Sequence, residues 1–401
     1  MSRYLRKAWG VLPYFLIPAA GALSPLLVIP AVSTTFGASG WAVMAIGQSI
    51  GGAAAVVGEL GWGVIGPQQL PRLGQRRRIR LYRTSLASRL LSTVPLTVLA
   101  AVLAALLAPN GRIEAASLAA GTALAALSPT WYFIGTNRPY VILGTESAPK
   151  IATALVSGIL IFAGFDTLVF GLLTICQVGL TLVLAARKID GPTRPGMADF
   201  REAPATMRRQ LVIGVGRSIS VVYTYLPTSI AALVAPSAVP AFAAVDRLLR
   251  MSLAVLSGIP SRLQSWLGSA PDDGADKRRT QTIQLNLILG VVCGAGFAAL
   301  AGWVASFVFA GEIGINPGLA WCAGALLAII CASRGMGLVL VSAGGANSIT
   351  VAIVPSAITG VVALFPLAAG AGAVGVVLAG ICAETVGLVF QYVLYRRRLK
   401  T

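Results

Sequence analysis

Residues 241–264, AFAAVDRLLRMSLAVLSGIPSRLQ, are apolar enough to cross a bilayer, yet they carry Asp246, Arg247 and Arg250 near their middle. On a helix, residues three or four apart share a face, so Arg250 lies beside both Asp246 and Arg247 and the three charges form one cluster. A charged side chain at mid-bilayer costs about 2.5–3.5 kcal/mol on insertion scales, so two arginines facing lipid would oppose insertion by about 5–7 kcal/mol. They must face protein or water. Two readings stand: an Asp246–Arg250 pair that locks helix packing, or a cationic wall for an anionic substrate.

The chain around this stretch has the same character. Of its 401 residues, 56% are hydrophobic and 11% charged, and the mean hydropathy is +0.82. These values describe a membrane protein rather than a soluble domain with a large core. The net charge of +18 would suggest nucleic acid if it were gathered in a patch with interleaved aromatics. Instead the basic residues fall between apolar runs, where they act as topology signals toward the anionic cytoplasmic leaflet, so no nucleic-acid partner is expected. The five cysteines (Cys176, Cys293, Cys322, Cys331, Cys382) lie inside apolar runs without metal-ligand spacing, which reads as reduced, buried thiols and no metal site. Histidine is absent, so any proton coupling must use carboxylates. With no P-loop, ATP is not the fuel, and no cofactor is expected.

Apolar windows of about twenty residues lie near 11–32, 41–65, 86–108, 115–135, 148–164 and 167–186, then near 211–235, 240–263, 283–310, 317–341, 347–369 and 373–395. The leading MSRYLRKAWG reads as the flank of a retained first helix rather than a signal peptide, with Tyr4 and Trp9 at the interface and Arg3, Arg6 and Lys7 in the cytoplasm. Trp41 and Trp62 bracket the second window, about 31 Å apart at helical rise, which fits one crossing with both rings at the interfaces. With the N-terminus inside, the links containing Arg72 to Arg83, Arg187 to Gln210 and Lys277 to Arg279, and the tail from Arg396 to Lys400, all fall on the cytoplasmic side. The opposite links hold a single basic residue, Arg112. Only an even number of helices keeps this alternation, so the sequence predicts an all-α integral membrane protein of about twelve transmembrane helices with both termini cytoplasmic. Each half has six windows and a basic link between its second and third. Pro30 and Pro227 also correspond at a similar offset. The halves therefore read as parallel repeats, residues 1–200 and 201–401, joined through the proline-rich link that contains Pro192, Pro195 and Pro204.

Intramembrane charges divide unevenly. The first half contributes mainly Glu59, and the second contributes Arg217, Asp246, Arg247, Arg250, Arg334 and Glu384. Arg247, Arg250, Arg334 and Arg217 form a ladder from the outer part of the membrane toward the cytoplasm. Isolated, these four cations and three acids would cost roughly 20 kcal/mol, so they must pair or line a wet cavity. Three acids do not neutralise four arginines, and the planar guanidinium suits phosphate oxygens. Structural roles stand beside this one: Arg217 and Glu59 can snorkel to the interface, Arg334 can bond neighbouring carbonyls, and Glu384 reads equally as a pairing or a protonatable coupling group. Gly370, Gly372 and Gly375 match G-x-G-x-x-G but sit in a hairpin with no preceding strand, so they do not read as a nucleotide site. Gly47 and Gly51 form a GxxxG that reads as close packing within the chain. Pro25, Pro30, Pro129, Pro227, Pro260 and Pro355 suggest bent helices.

Three stretches carry a resemblance: STTFGASGWAVMAIGQSIGGAAAVVGELGWG (33–63), SPTWYFIGTNRPYVIL (128–143) and AFAAVDRLLRMSLAVLSGIPSRLQ (241–264). Together the pattern resembles the polysaccharide flippases of the multidrug, oligosaccharidyl-lipid and polysaccharide exporter superfamily, diffusely over most of the chain. The resemblance implies two six-helix lobes rocking around a central cavity in a bacterial cytoplasmic membrane. It implies a polyprenyl-pyrophosphate-linked saccharide as cargo, with membrane lipids, H+ or Na+ and polysaccharide assembly proteins as partners. Arg247 and Arg250 match the eighth-helix position that meets the pyrophosphate, while Arg217 and Arg334 join them by depth and charge alone. Three alternatives remain, one of them a non-transporting scaffold for glycan assembly, against which the buried charges weigh. A drug or small-metabolite exporter of the same superfamily fits less well, because cationic drugs favour a net negative cavity. A membrane glycosyltransferase or polymerase needs a sizeable outer loop with paired acids, and Glu114, Asp166 and Glu312 stand apart in short loops. The expectation is a transporter, not an enzyme.

Overall fold

A computed structural model describes residues 21, 24–256, 275–343 and 346–398. The interface reading of Tyr4 and Trp9, the cytoplasmic reading of Arg3, Arg6, Lys7 and Lys400, and the 257–264 end of the opening stretch with Pro260 lie outside the described residues. So does the side chain of Arg217.

Among the described residues every regular element is helical. The principal helices are α1 (Ile29–Gly58), α2 (Trp62–Gln69), α3 (Gln75–Leu107), α4 (Arg112–Leu124), α5 (Thr130–Gly135), α6 (Ala148–Phe162), α7 (Leu168–Ala186), α8 (Met197–Val234), α9 (Val239–Leu256), α10 (Ala275–Val308), α11 (Pro317–Ser342) and α12 (Ala346–Arg398). Six of these, α1, α3, α7, α10, α11 and α12, are long and apolar enough to cross a membrane. The chain is a multi-pass membrane protein.

Two of the long helices are broken at a glycine. In α1 the break is Gly37 (φ 62°, ψ −158°), and in α12 it is Gly372 (φ 53°, ψ −129°), a backbone that side chains with a Cβ resist. Gly372 is the central member of the G-x-G-x-x-G run, so that motif serves a turn between two apolar segments. The turn folds Gly375 so closely onto the Leu367 carbonyl that a Cβ there would lie 1.7 Å from the oxygen.

The chain divides within α8 into two compact units, Met1–Ser229 and Ile230–Thr401. In the first, α1 packs along α4 and α3, and α4 along α7. Gly47 and Gly51 make the α1–α4 contact possible: a Cβ would lie 2.8 Å from the Ala115 carbonyl oxygen at Gly47 and 2.4 Å from that of Ala119 at Gly51. Ser49 of α1 adds a hydroxyl contact of 3.1 Å to Ser229 of α8. In the second unit α10 runs along α11 and α11 along α12, while α9 touches all three. Gly290 and Gly294 repeat the same device, at 2.7 Å from the Ala328 carbonyl oxygen and 2.4 Å from that of Gly324. The outward faces of α3 and α10 expose Val98, Leu99, Leu106, Ile288 and Val292, as helices in contact with lipid do.

Two expectations change. Trp41 and Trp62 do not reach out to the interface, because both are buried. Trp62 packs in a core against Trp131, 5.3 Å between ring centroids with the planes tilted by 35°, and its Nε1 donates to Ser88 Oγ at 3.2 Å. Large rings gain more from packing here than from the interface, and Trp62 keeps its polar partner inside. The five cysteines are free thiols, but only Cys331 is buried; Cys176 and Cys382 are exposed. An apolar run has an outward face as well as an inward one, and a small thiol sits on either.

Candidate functional site

Helix α9 holds the cluster that the sequence singles out. Phe242, Ala243, Ala244, Val245, Leu248 and Leu249 are buried, while Asp246, Arg247 and Arg250 are half-buried on the remaining face. One helical turn separates Asp246 from Arg250, and Arg250 Nε donates to Asp246 Oδ2 at 2.6 Å. The two side chains keep 25% and 38% of their exposure, so the pair is not sealed in the core. Arg247 lies between them in sequence, with its Nε and Nη2 atoms buried. Arg334 is exposed on α11 and Glu384 half-buried on α12, two helices that pack together and share a bond from Gln391 Nε2 to Ser333 Oγ at 3.3 Å. Glu59 caps the C-terminus of α1 and is half-buried, in the first unit.

The first unit is not poor in buried charge, contrary to the sequence reading. Arg89 of α3 is fully buried. Its Nη1 donates to the carbonyl oxygens of Ala126 at 2.9 Å and Ser128 at 2.8 Å, and its Nε to that of Ser85 at 3.4 Å. The Ala126 and Ser128 acceptors are freed because the chain breaks between α4 and α5, where Pro129 interrupts the helix and carbonyls lose their intrahelical donors. The guanidinium also lies 6.0 Å from the Trp131 ring centre, a cation–π contact.

A second charged group closes the other side of the same break. Leu143–Ser147 forms a π-helical turn that brings Glu146 to the Ser128 and Thr130 hydroxyls, both of which donate to Glu146 Oε2. Lys150 Nζ, one turn onward, donates to Glu146 Oε1 at 2.7 Å. Nearby, Gln177 Nε2 of α7 donates to Thr181 Oγ1 at 2.9 Å. Among the described residues no cluster has the composition of a metal site.

Signals for these groups exist in the sequence but are weak. A single arginine inside the apolar window 86–108 is averaged away. Glu146 and Lys150 show the i, i+4 order that favours a helical ion pair, but they stand at the edge of an apolar run, where charged residues ordinarily mark a link.

No protein-family model matches the sequence, and no curated protein does. Solved structures do match in fold. A multidrug resistance MATE family transporter of the MOP superfamily, in an inward-facing conformation, superposes with a TM-score of 0.72 at 14% identity, covering 95% of this chain and 96% of its own. The lipid II flippase MurJ, in an inward closed conformation, gives 0.72 at 12% identity over 98% of this chain and 88% of its own. A MATE transporter of Vibrio cholerae gives 0.55 at 14% over 98% and 96%. The chain shares the fold of these solved transporters. At these identities the likeness is one of fold, and the same fold is found in a multidrug transporter and in a lipid II flippase, so the cargo has to be argued from side chains.

Proposed function

We propose that this chain is a flippase that moves a polyprenyl-pyrophosphate-linked saccharide across a bacterial cytoplasmic membrane by alternating access, for surface polysaccharide assembly, and that it is not an enzyme. In this reading about twelve helices, with both termini cytoplasmic, form two six-helix lobes, 1–200 and 201–401, around a central cavity. Ion exchange with H+ or Na+ supplies the drive, Asp246, Glu384 and Glu59 serve coupling or pairing, and assembly proteins receive the product.

The observation that carries the reading is the half-buried α9 cluster, in which two arginines share a helix face with one aspartate. A partly desolvated guanidinium binds phosphate oxygens in a fork while remaining accessible to a ligand from water or the interface. Arg247 and Arg250 are assigned to the pyrophosphate, and Arg217 and Arg334 extend the cationic path. The MOP fold supports the reading because a lipid II flippase is among the proteins that share it.

The test is export in cells carrying R247A/R250A. Surface polysaccharide is expected to be lost while the protein stays in the membrane at normal amount, and normal surface polysaccharide would overturn the assignment. The equal TM-score to a multidrug transporter favours one second reading, a drug or small-metabolite exporter. In that case a deletion strain becomes drug-sensitive and its surface polysaccharide stays intact.

A further inference from the structure

Two tryptophans of the second unit lie on its surface. Trp303 on α10 is 70% exposed and Trp321 on α11 is 61% exposed, while Phe307, one turn on from Trp303, reaches 80%. Trp41, Trp62 and Trp131 of the first unit are all buried, so the exposed rings forgo packing that large aromatics ordinarily obtain. Their exposure is not scattered. On α10 the outward positions Ile288, Val292, Ala295, Ala299, Trp303 and Phe307 follow one another at steps of three or four, so they form a single stripe. The stripe is aliphatic as far as Ala299 and aromatic at its end. Beyond it the link to α11 turns polar, with Glu312 and Asn316 exposed.

The opposite ends of the same two helices are fixed by charge. Arg279 of α10 donates from Nη2 to the Ser342 carbonyl oxygen at 3.2 Å and from Nε to Ser342 Oγ at 3.4 Å. The start of α10 and the end of α11 therefore stand at one level, with Lys277 and Arg278 just before it. At helical rise Trp303 lies about 36 Å from Arg279, and Trp321 about 32 Å from Ser342. A hydrocarbon core is about 30 Å thick, and a bilayer with its headgroups about 40–45 Å. With the basic ends at one border, Trp321 reaches the opposite edge of the hydrocarbon and Trp303 the headgroup layer beyond it. The close contact of Gly294 with Gly324 gives the same order, with Trp303 about 14 Å and Trp321 about 5 Å past that level.

We propose that Trp303, Phe307 and Trp321 anchor the second unit in the lipid headgroup layer at the border opposite Lys277 to Arg279. The indole bodies rest on acyl chains, and their Nε1–H groups face phosphate and ester oxygens. A lipid surface fits better than a second copy of this chain. The exposed stripe has the length of a bilayer, and its two ends carry the two residue classes that border membranes, basic at one and aromatic at the other, which a contact between copies does not require. The anchor also sets a depth for the cationic path: Arg334 on α11 lies about 12 Å inward of Ser342, within the hydrocarbon span, where its charge needs water, a partner or a stem long enough to reach the border. The inference concerns lipid contact and depends neither on the cargo nor on which border is cytoplasmic.

The test uses the purified full chain in phosphatidylcholine vesicles whose lipids carry bromine either near the headgroup or near the chain end, with tryptophan emission as the readout. Bromine quenches indoles that it touches, so the buried tryptophans of the first unit supply an unquenched background. Wild type is expected to lose more emission to the shallow bromines than to the deep ones. W303F is expected to lose shallow quenching alone, W321F to lose part of both, and W303F/W321F to lose most of the lipid-dependent signal. Each change exchanges one exposed aromatic for another; where W303F does not fold, W303Y takes its place. A folded double variant quenched as strongly as wild type overturns the proposal, and so does wild type that ignores the shallow bromines. Absence of quenching together with a cross-linked dimer in the vesicles would assign the stripe to a second copy of the chain instead.

Discussion

The two units bury charge in opposite ways. In the first, Arg89 is fully enclosed and its Nη1 donates to two backbone carbonyls at a helix break, while Glu146 is tied to two hydroxyls and an ammonium. In the second, Asp246 and Arg250 pair along one helix face and stay partly exposed. A guanidinium fully buried against backbone carbonyls fixes the local backbone. A half-open cluster retains the capacity to bind a ligand.

The largest expected effect comes from removing Arg89. R89M leaves the Ala126 and Ser128 carbonyls without their donor, at about 1–3 kcal/mol each, and a sharp fall in the thermal midpoint or loss of folded protein follows. A stable R89M would mean that the first unit is no more closed than the second. Next comes the device the units share. G51L and G294L each drive a side chain into a backbone oxygen that would lie 2.4 Å from a Cβ, and overpacking of this kind costs about 1–3 kcal/mol or more. Similar losses in both are expected by thermal unfolding, and a silent G294L would show that the α10–α11 contact is looser than the α1–α4 contact. A smaller effect is expected from D246A/R250A. Both partners leave together and both are partly exposed, so stability changes by about 1 kcal/mol or less, measured in the same way, while export falls. The smallest comes from R76A/R77A on the exposed start of α3, within about 0.5 kcal/mol.

What the sequence discloses follows from how local each feature is. The α9 pair is legible because i, i+4 spacing fixes it whatever surrounds the helix. The turn at Gly372 is legible as a glycine cluster between two apolar windows, and the GxxxG of α1 as a close-packing surface. The Glu146 site is not, because its partners Ser128 and Thr130 lie 18 and 16 residues away and reach it only through the break at Pro129. Arg89 is hidden by the average of an apolar window, since one charge hardly moves a sum over some twenty residues. Trp41 and Trp62 mislead because an aromatic ring near a span end satisfies the interface rule as well as it satisfies a buried core, and packing decides between them.

The claim that the α9 arginines contact a pyrophosphate is tested most directly by reconstitution. Purified wild type and R247A/R250A are placed in lipid vesicles with a fluorescent polyprenyl-pyrophosphate-linked saccharide and with its monophosphate analogue, and transfer to the other leaflet is timed. The account predicts that wild type moves the pyrophosphate form faster than the monophosphate and that the double variant loses this preference together with most of the rate. Equal transfer of both lipids by wild type, or an unchanged preference in the variant, would contradict it.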